Sequence, residues 1–257
     1  MRRIPLIVAF LALTMTCMTV AADNEGFSVR ARTFDPHHTF LVNATWLSGI
    51  GCPTDATVVL FDSNPPFGLL PPSKYTDPAC PTGDSTDHSN QGLLLAKTGP
   101  TLNDASGTAV LVGVKGTVLT ELGYDLRKPG ADSSDPRGSH CGAGAARFNI
   151  TLQDGEFFFL GCSSPPPTTQ NAGNGFIRLR WGGATGPLQA YLNGNTLQTI
   201  PAIAVKSISI VFDEGQDTAP DNFGLAVLDN IDVNGTLVGH GVNGGDNSGD
   251  NSKGGPD

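Results

Sequence analysis

The chain has 257 residues, with 24 Asp or Glu against 15 Lys or Arg, which gives a formal net charge of −9 at pH 7. Such an acidic chain repels phosphate backbones, so nucleic acid is excluded as an expected partner. The 33 glycines and 19 prolines, without any long stretch of helical periodicity, exclude a mainly helical fold. An acidic composition is compatible with calcium binding, with neutral glycan ligands, or simply with solubility.

Residues 1–22 have the layout of a secretory signal peptide. Arg2 and Arg3 precede an apolar stretch that ends in small residues just before Asp23. The stretch is too short and too interrupted by threonine to favour a membrane anchor. No later stretch is apolar enough to span a bilayer. We therefore expect a secreted protein, extracellular or periplasmic, that is cleaved after Ala22.

Short strand-like runs fill the rest of the chain, with turn residues between them. This pattern is typical of a β-sandwich. Asp154-Gly155 lies between two runs and predicts a hairpin that pairs 146–152 with 156–162. The runs are 27–34, 39–46, 56–61, 92–97, 108–113, 117–127, 146–152, 156–162, 175–182, 205–212 and 223–233.

Alternation of apolar and polar residues assigns the faces of four of these runs. The run 156–162 does not alternate, so we expect it to be covered on both faces. The residues expected to point into the core are Leu122, Tyr124, Leu126, Phe148, Ile150, Leu152, Ile177, Leu179, Trp181, Ile208, Ile210 and Phe212.

The prediction is an all-β fold, a β-sandwich of two antiparallel sheets with long disulfide-clipped loops, formed as one domain by residues 23–240. The loops are 62–90, where repeated prolines cannot join a strand ladder, and 128–145. Residues 241–257 are rich in Gly, Asp, Asn and Ser and predict a disordered tail.

Four cysteines remain after the signal peptide, and an even number in an exported chain predicts two disulfides. We favour Cys52–Cys80 and Cys141–Cys162, because each bridge closes one local loop, although other pairings are open. A catalytic thiol at Cys141, beside His140, is the less favoured alternative.

Acidic residues crowd around the last strand. Alternation over 223–233 places Asp229 on the same face as Leu225, Val227, Ile231 and Val233, unless a bulge intervenes. A carboxylate among apolar side chains needs a cation, an arginine or several backbone N–H groups as partner. Calcium is one candidate, because it takes oxygen ligands; an Arg–Asp pair, or a strand end open to water, is the other.

The stretch FGLAVLDNIDVNG, residues 223–235, resembles the closing strand of jelly-roll carbohydrate-binding modules and related galactose-binding-like domains. The resemblance implies a jelly-roll sandwich, a structural calcium held by Asp229, and further ligands from the N-terminal strand region. Asp23 and Glu25 are the candidates there.

The outward positions of several strands carry charged residues that could form one ligand-binding face. Such a surface could hydrogen-bond sugar hydroxyls, or it could consist of cross-strand ion pairs on a solvated sheet. The candidates for ligand binding on these strands are Asp125, Arg127, Arg147, Arg178 and Arg180.

The proline-rich loop offers Tyr75, Asp77 and His88 as further ligand-binding candidates, because sandwiches place binding residues on loops. Asp84, Asp87, His88 and Asn90 could ligate a cation or be ordinary turn formers, and we favour turn formers. No catalytic motif stands out, so catalysis stays an open question.

The sequence therefore favours a secreted, non-catalytic domain that binds a glycan or another cell-surface polymer, with a possible structural calcium. A glycan-active hydrolase or lyase on the same fold is one alternative. A structural or adhesive surface protein without a small ligand is the other.

Overall fold

The computed structural model describes residues 26–52, 58–59, 68–69, 84, 86–98, 105–128, 145–173, 176–213 and 223–244. The predicted signal peptide, Tyr75, Asp77 and the tail beyond 244 lie outside these residues. The described strands are β1 (Ser28–Phe34), β2 (Val42–Ser48), β3 (Val58–Val59), β4 (Gly68–Leu69), β5 (Gln91–Thr98), β6 (Ser106–Val112), β7 (Glu121–Arg127), β8 (Arg147–Leu152), β9 (Phe157–Leu160), β10 (Thr168–Gly173), β11 (Phe176–Gly182), β12 (Gln189–Leu192), β13 (Thr196–Thr199), β14 (Val205–Phe212), β15 (Phe223–Val233), β16 (Thr236–Val238) and β17 (Gly241–Asn243).

Two sheets form a β-sandwich, as predicted. The eight-stranded sheet has the order β13-β12-β9-β8-β14-β6-β1-β17, and the seven-stranded sheet has the order β10-β11-β7-β15-β5-β2 with β16 beside β15. Neighbouring strands are antiparallel, except that β17 runs parallel to β1. A short 3-10 turn, Gly183–Thr185, is the helical element within the described residues, and no helix there is long and apolar enough to cross a membrane.

The core lies between the two sheets and confirms the predicted inward residues of β7, β8, β11 and β14. Tyr124, Phe148 and Trp181 meet in its centre, with ring centroids 5.4 to 6.4 Å apart. The Tyr124 hydroxyl donates to the carbonyl oxygen of Ala146 at 2.6 Å, which satisfies the one polar atom of that buried ring. The predicted Asp154-Gly155 hairpin is also confirmed, because β8 pairs with β9 around it.

The prediction that the run 156–162 is covered on both faces is wrong for the rings of Phe157 and Phe159. Phe158 and Leu160 are fully buried in the core, but Phe157 and Phe159 are only partly buried on the outer face of the eight-stranded sheet. The strand therefore alternates in burial even though all four of its residues are apolar.

The ordered chain extends past the predicted boundary at residue 240, because Gly241–Asn243 form β17. The Asn243 side chain accepts a hydrogen bond from the backbone N–H of Trp46 at 2.6 Å and donates to the Trp46 carbonyl oxygen at 3.3 Å. These bonds fix β17 against β2, which a count of polar residues could not predict.

The structure does not support the predicted Cys52–Cys80 bridge. Cys52 is buried, and its Sγ donates a hydrogen bond to the carbonyl oxygen of Ala172 at 3.4 Å. Cys162 is fully buried, and its sulfur lies 3.0 Å from the carbonyl oxygen of Ala145, close in sequence to Cys141. Cys80 and Cys141 lie outside the described residues, so Cys141–Cys162 stays a prediction.

Candidate functional site

A single line of residues crosses the outer face of the eight-stranded sheet from edge to edge. Residues directly opposite one another on paired strands share a face, and the registers connect one residue from each strand. All eight are partly or well exposed. We call them the cross-strand row: Leu197, Tyr191, Phe159, Asn149, Ser209, Val110, Arg30 and Val242.

The row is about 34 Å long, because seven spacings of roughly 4.8 Å separate eight strands. It begins with three apolar side chains, Leu197, Tyr191 and Phe159, and continues with Asn149 and Ser209, which are polar and uncharged. Arg30 is its one charged member. The row thus offers apolar contact area at one end and uncharged hydrogen-bonding groups in the middle.

Local structure holds the two aromatic rings of the row in place. The Tyr191 hydroxyl accepts a hydrogen bond from Ser164 at 3.0 Å. Gly194, at φ +74°, lies in the turn between β12 and β13, and a Cβ added there would be 3.6 Å from the Phe159 ring. Phe157, two residues before Phe159, packs edge-to-face against it with centroids 4.6 Å apart. These contacts restrain both rings.

Arg147 lies over one side of the Phe159 ring, on the outer face of the sheet. Its guanidinium lies 5.7 Å from the centre of the Phe159 ring, pairs with Asp213 at 2.6 Å and donates to Asn149 at 3.2 Å. The charge of this predicted ligand-binding residue is therefore already compensated, and its contacts fix Asn149 at the middle of the row.

The other predicted ligand-binding residues on strands lie on the opposite sheet. Arg178 binds Asp125 with two parallel hydrogen bonds of 2.8 Å each, and Asn230 adds a third to the same carboxylate at 2.9 Å. Asp125 is fully buried. This network matches the ion-pair reading of the outward charges, because its polar groups bind one another. Arg127 lies apart from it, with its guanidinium 5.1 Å from the Phe176 ring.

Arg180 joins this network to a second carboxylate. Its Nε lies 2.8 Å from Asp232, its Nη2 lies 3.6 Å from Asp125, and its Nη1 donates to the Leu179 carbonyl oxygen at 2.8 Å. Burial raises the pKa of Asp232 to about 6. A hydrogen bond with Glu121 and the negative charge of Glu121 add to the rise, whereas the positive charge of Arg180 opposes it. Two carboxyl groups thus share one site beside a guanidinium.

The acidic side chains of the loop before β5 accept hydrogen bonds within the loop, and Asp84 also binds the segment after β16. Asp84 accepts hydrogen bonds from Thr86 and from the backbone N–H of Gly239 at 3.0 Å, while Asp87 accepts from the backbone of Ser89 and Gln91. Their neighbour His88 is exposed. Across the described ranges, no three His, Cys, Asp or Glu side chains gather closely enough to hold a metal ion.

Asp229 is buried, and backbone groups supply its partners. One carboxylate oxygen accepts the N–H of Cys52 and the other accepts the N–H of Asn230, both at 2.6 Å. A Cβ on Gly51 would lie 2.7 Å from Oδ2, so glycine lets the chain approach. Burial raises the pKa of Asp229 well above its usual value, against these two hydrogen bonds. The candidate ligands Asp23 and Glu25 lie outside the described residues, so a calcium here stays a prediction.

A bulge after Asp229 corrects the predicted faces of β15. Asn230 has a φ of +44°, and the register with β7 shifts between Asp229 and Asp232. Leu225 and Val227 pack with Ile50 and Phe176 in a second apolar cluster on the outer side of their sheet, next to Asp229. Beyond the bulge the alternation is reversed, and Ile231 and Val233 point into the main core.

No family model and no curated protein matches this chain. Among solved structures, it is similar to the family 11 carbohydrate-binding module from Clostridium thermocellum in complex with a β-1,3-1,4-mixed-linked tetrasaccharide, with 16% identity and a TM-score of 0.31 over 82% of this chain and 97% of that one. The family 11 module of the cellulosomal cellulase Lic26A-Cel5E of the same organism gives 16% identity and a TM-score of 0.31 over 82% and 95%. Similarity at this level does not assign the chain to a family.

Proposed function

We propose that this protein is a secreted, non-catalytic binding domain on a jelly-roll-type sandwich, and that it holds a neutral glycan chain along the cross-strand row. One observation carries the proposal: Tyr191 and Phe159 are directly opposite each other near one end of a row whose partly exposed members continue through Asn149 and Ser209. The ligand would lie extended, across the strands.

The chemistry of the row matches the two kinds of surface that a sugar ring presents. The faces of aromatic rings carry partial negative charge, and the C–H groups on one side of a pyranose ring carry partial positive charge. Tyr191 and Phe159 can therefore pack against that side of the ring. Asn149 and Ser209 can exchange hydrogen bonds with hydroxyl groups further along the chain.

The charges near the row favour a neutral ligand over an anionic one. Arg147, the cation nearest the aromatic rings, is paired with Asp213 at 2.6 Å. The whole chain carries a formal net charge of −9. An anionic polymer would therefore meet repulsion at long range, and the described cation beside the Phe159 ring is already paired.

The hydrolase alternative has less support within the described residues. Glycoside hydrolases hold their two carboxyl groups about 5 to 9.5 Å apart. Glu121 and Asp232, by contrast, contact each other directly through a hydrogen bond. Asp232 is also buried and paired with Arg180, so this pair acts in the structure of the sheet. An adhesive protein without a small ligand remains the second candidate, and the binding experiment separates it from the first.

The test is a glycan array probed with the wild-type protein and with a Phe159→Ala/Tyr191→Ala double variant. Val112→Ala/Val118→Ala is the matched control, because these two valines are exposed apolar residues outside the row. We expect wild type and control to bind the same neutral glycans and the double variant to bind them at least about tenfold more weakly. Absence of any glycan binding by the wild type, or equal binding by all three proteins, would contradict the proposal.

A further inference from the structure

A pocket of about 280 Å³ opens at the edge of the sandwich where the chain passes from β11 to β12. Its walls combine the rings of Pro165 to Pro167 and Pro187 with the polar side chains of Arg180, Thr185 and Gln189. This volume is just below the usual range for ligand pockets, about 300 to 1,000 Å³. It suits a single small ring rather than a chain.

Hydrogen bonds hold the pocket walls in position. The indole N–H of Trp181 donates to the Pro165 carbonyl oxygen at 2.8 Å, and the Thr168 hydroxyl donates to the Arg180 carbonyl oxygen at 2.9 Å. On the opposite wall, the Thr185 hydroxyl donates to the Gly182 carbonyl oxygen at 2.8 Å. A ligand would enter a preformed space, which lowers the entropy cost of binding.

The charge of the lining residue Arg180 is already compensated. Its Nε lies 2.8 Å from the carboxylate of Asp232, and its Nη2 lies 3.6 Å from that of Asp125. A ligand carboxylate or phosphate would have to compete with these two groups for the same cation. The exposed side chain of Gln189 and the hydroxyl oxygens of Thr168 and Thr185 suit hydroxyl groups of an uncharged ligand.

The pocket is continuous with the cross-strand row. Gln189 and Tyr191 lie on the same face of β12, about 7 Å apart along the strand. The Ser164 hydroxyl donates to Tyr191, and the next residue in the chain, Pro165, lines the pocket. A substituent on a chain that lies across Tyr191 would therefore reach the pocket without bending the chain away from the row.

We infer that this side pocket binds one neutral sugar ring, carried as a side branch by the chain on the cross-strand row. The branch part of this inference rests on the proposed function, whereas the capacity of the pocket for a single sugar does not. The domain would then prefer a branched neutral polysaccharide to its unbranched backbone.

Nuclear magnetic resonance can test the pocket alone, because the chain has two tryptophans and therefore two indole N–H signals. The Trp181 indole is bonded to the pocket wall, and Trp46, on β2 at the far edge of the same sheet, serves as the internal control. The probes are methyl glycosides of glucose, galactose, mannose and xylose, with methyl glucuronide as the anionic comparison. We expect at least one neutral glycoside to shift the Trp181 signal saturably and the glucuronide to bind more weakly.

Two variants show whether the pocket contributes to recognition. Gln189→Ala removes a pocket side chain, and Gln198→Ala, on the adjacent strand and outside the pocket, is the control. We expect Gln189→Ala to weaken glycoside binding about fivefold, the loss of one hydrogen bond, and to reduce the preference for galactomannan over linear mannan or for xyloglucan over cellohexaose. Gln198→Ala should leave both unchanged.

The two proposals fail in different ways. A Trp181 signal that none of the glycosides moves, together with normal polysaccharide binding, would overturn the pocket and leave the row intact. A Trp181 shift in a protein that binds no polysaccharide would overturn the row and the branch, and support the pocket as a site for a free sugar.

Discussion

Tyr191 lies directly opposite Phe159 across the β9–β12 pair, on the outer face of the eight-stranded sheet. The two residues are 32 positions apart in the chain, and the direct antiparallel pairing of β12 with β9 brings them together, while β10 and β11 between them belong to the other sheet. Phe157 supports Phe159 from the side, and Ser164 fixes the hydroxyl of Tyr191. The pair is therefore a prearranged surface, which reduces the ordering cost of a ligand that packs on it.

The carboxyl group of Asp232 predicts a pH dependence of stability. Burial raises the pKa of Asp232 in the folded state to about 6, above the usual 3.8 of the carboxyl group, so the folded state binds more protons than the unfolded state between these values. The stabilisation is complete below about pH 4 and is lost as the pH rises through 6, with a slope of at most about 1.4 kcal/mol per pH unit. Denaturant unfolding of wild type and Asp232→Asn between pH 4 and 7 measures it. We expect the variant to show a flatter profile, and parallel profiles would contradict the assignment.

Substitution of Asn230 should change the stability through two separable effects, on the backbone conformation and on the side-chain hydrogen bonds. Its φ of +44° suits Asn or Gly, and its side chain bonds to Asp125 at 2.9 Å and to the backbone N–H of Asp84 at 3.0 Å. Asn230→Ala should lose about 2 to 4 kcal/mol, from backbone strain together with the lost hydrogen bonds. Asn230→Gly should lose less, because it keeps the backbone relaxed. Chemical denaturation measures both variants, and equal losses would show that the backbone conformation contributes nothing.

The structural calcium predicted at Asp229 has a direct test in thermal melting. Calcium that binds only the folded state raises the melting temperature, because the stabilisation grows with the logarithm of the calcium concentration relative to its dissociation constant. The prediction is a lower melting temperature in EDTA than in calcium for the wild type, and no such difference for Asp229→Asn. Asp229→Asn also loses the hydrogen bond from Cys52 or Asn230, which lowers its stability by itself. The informative comparison is therefore the melting temperature in EDTA against that in calcium for the same protein. An unchanged wild-type melting temperature in EDTA would remove the calcium.

The sequence was sufficient where local patterns decide the structure. Asp154-Gly155 between two apolar runs predicted the β8–β9 hairpin, and Gly155 adopts the positive φ, +93°, that such a turn requires. Alternation in β7, β8, β11 and β14 predicted which side chains fill the core. These features depend on residues close together in the chain, so composition and spacing encode them.

The sequence was not sufficient where strand register or backbone conformation determines which residues meet and which face they occupy. Phe157 and Phe159 could not be told from Phe158, because a run of apolar residues hides the period of a strand. The pairing of Tyr191 with Phe159 depends on a non-local register, and the charges predicted as one face are divided between two sheets. The reversal of faces after Asp229 depends on a single left-handed residue, Asn230, since asparagine tolerates that conformation without demanding it.

The most direct test of the extended binding row is titration calorimetry with a length series of the neutral oligosaccharide that the array selects, for wild type and Phe159→Ala, with Phe159→Tyr as the conservative control. Affinity of the wild type should rise with chain length until the ligand spans the row, roughly 34 Å, and then level off. Phe159→Ala should lower the affinity for every length by about tenfold, and Phe159→Tyr should retain it. The same affinity for a disaccharide and for the longest chain, or no effect of Phe159→Ala, would contradict the account.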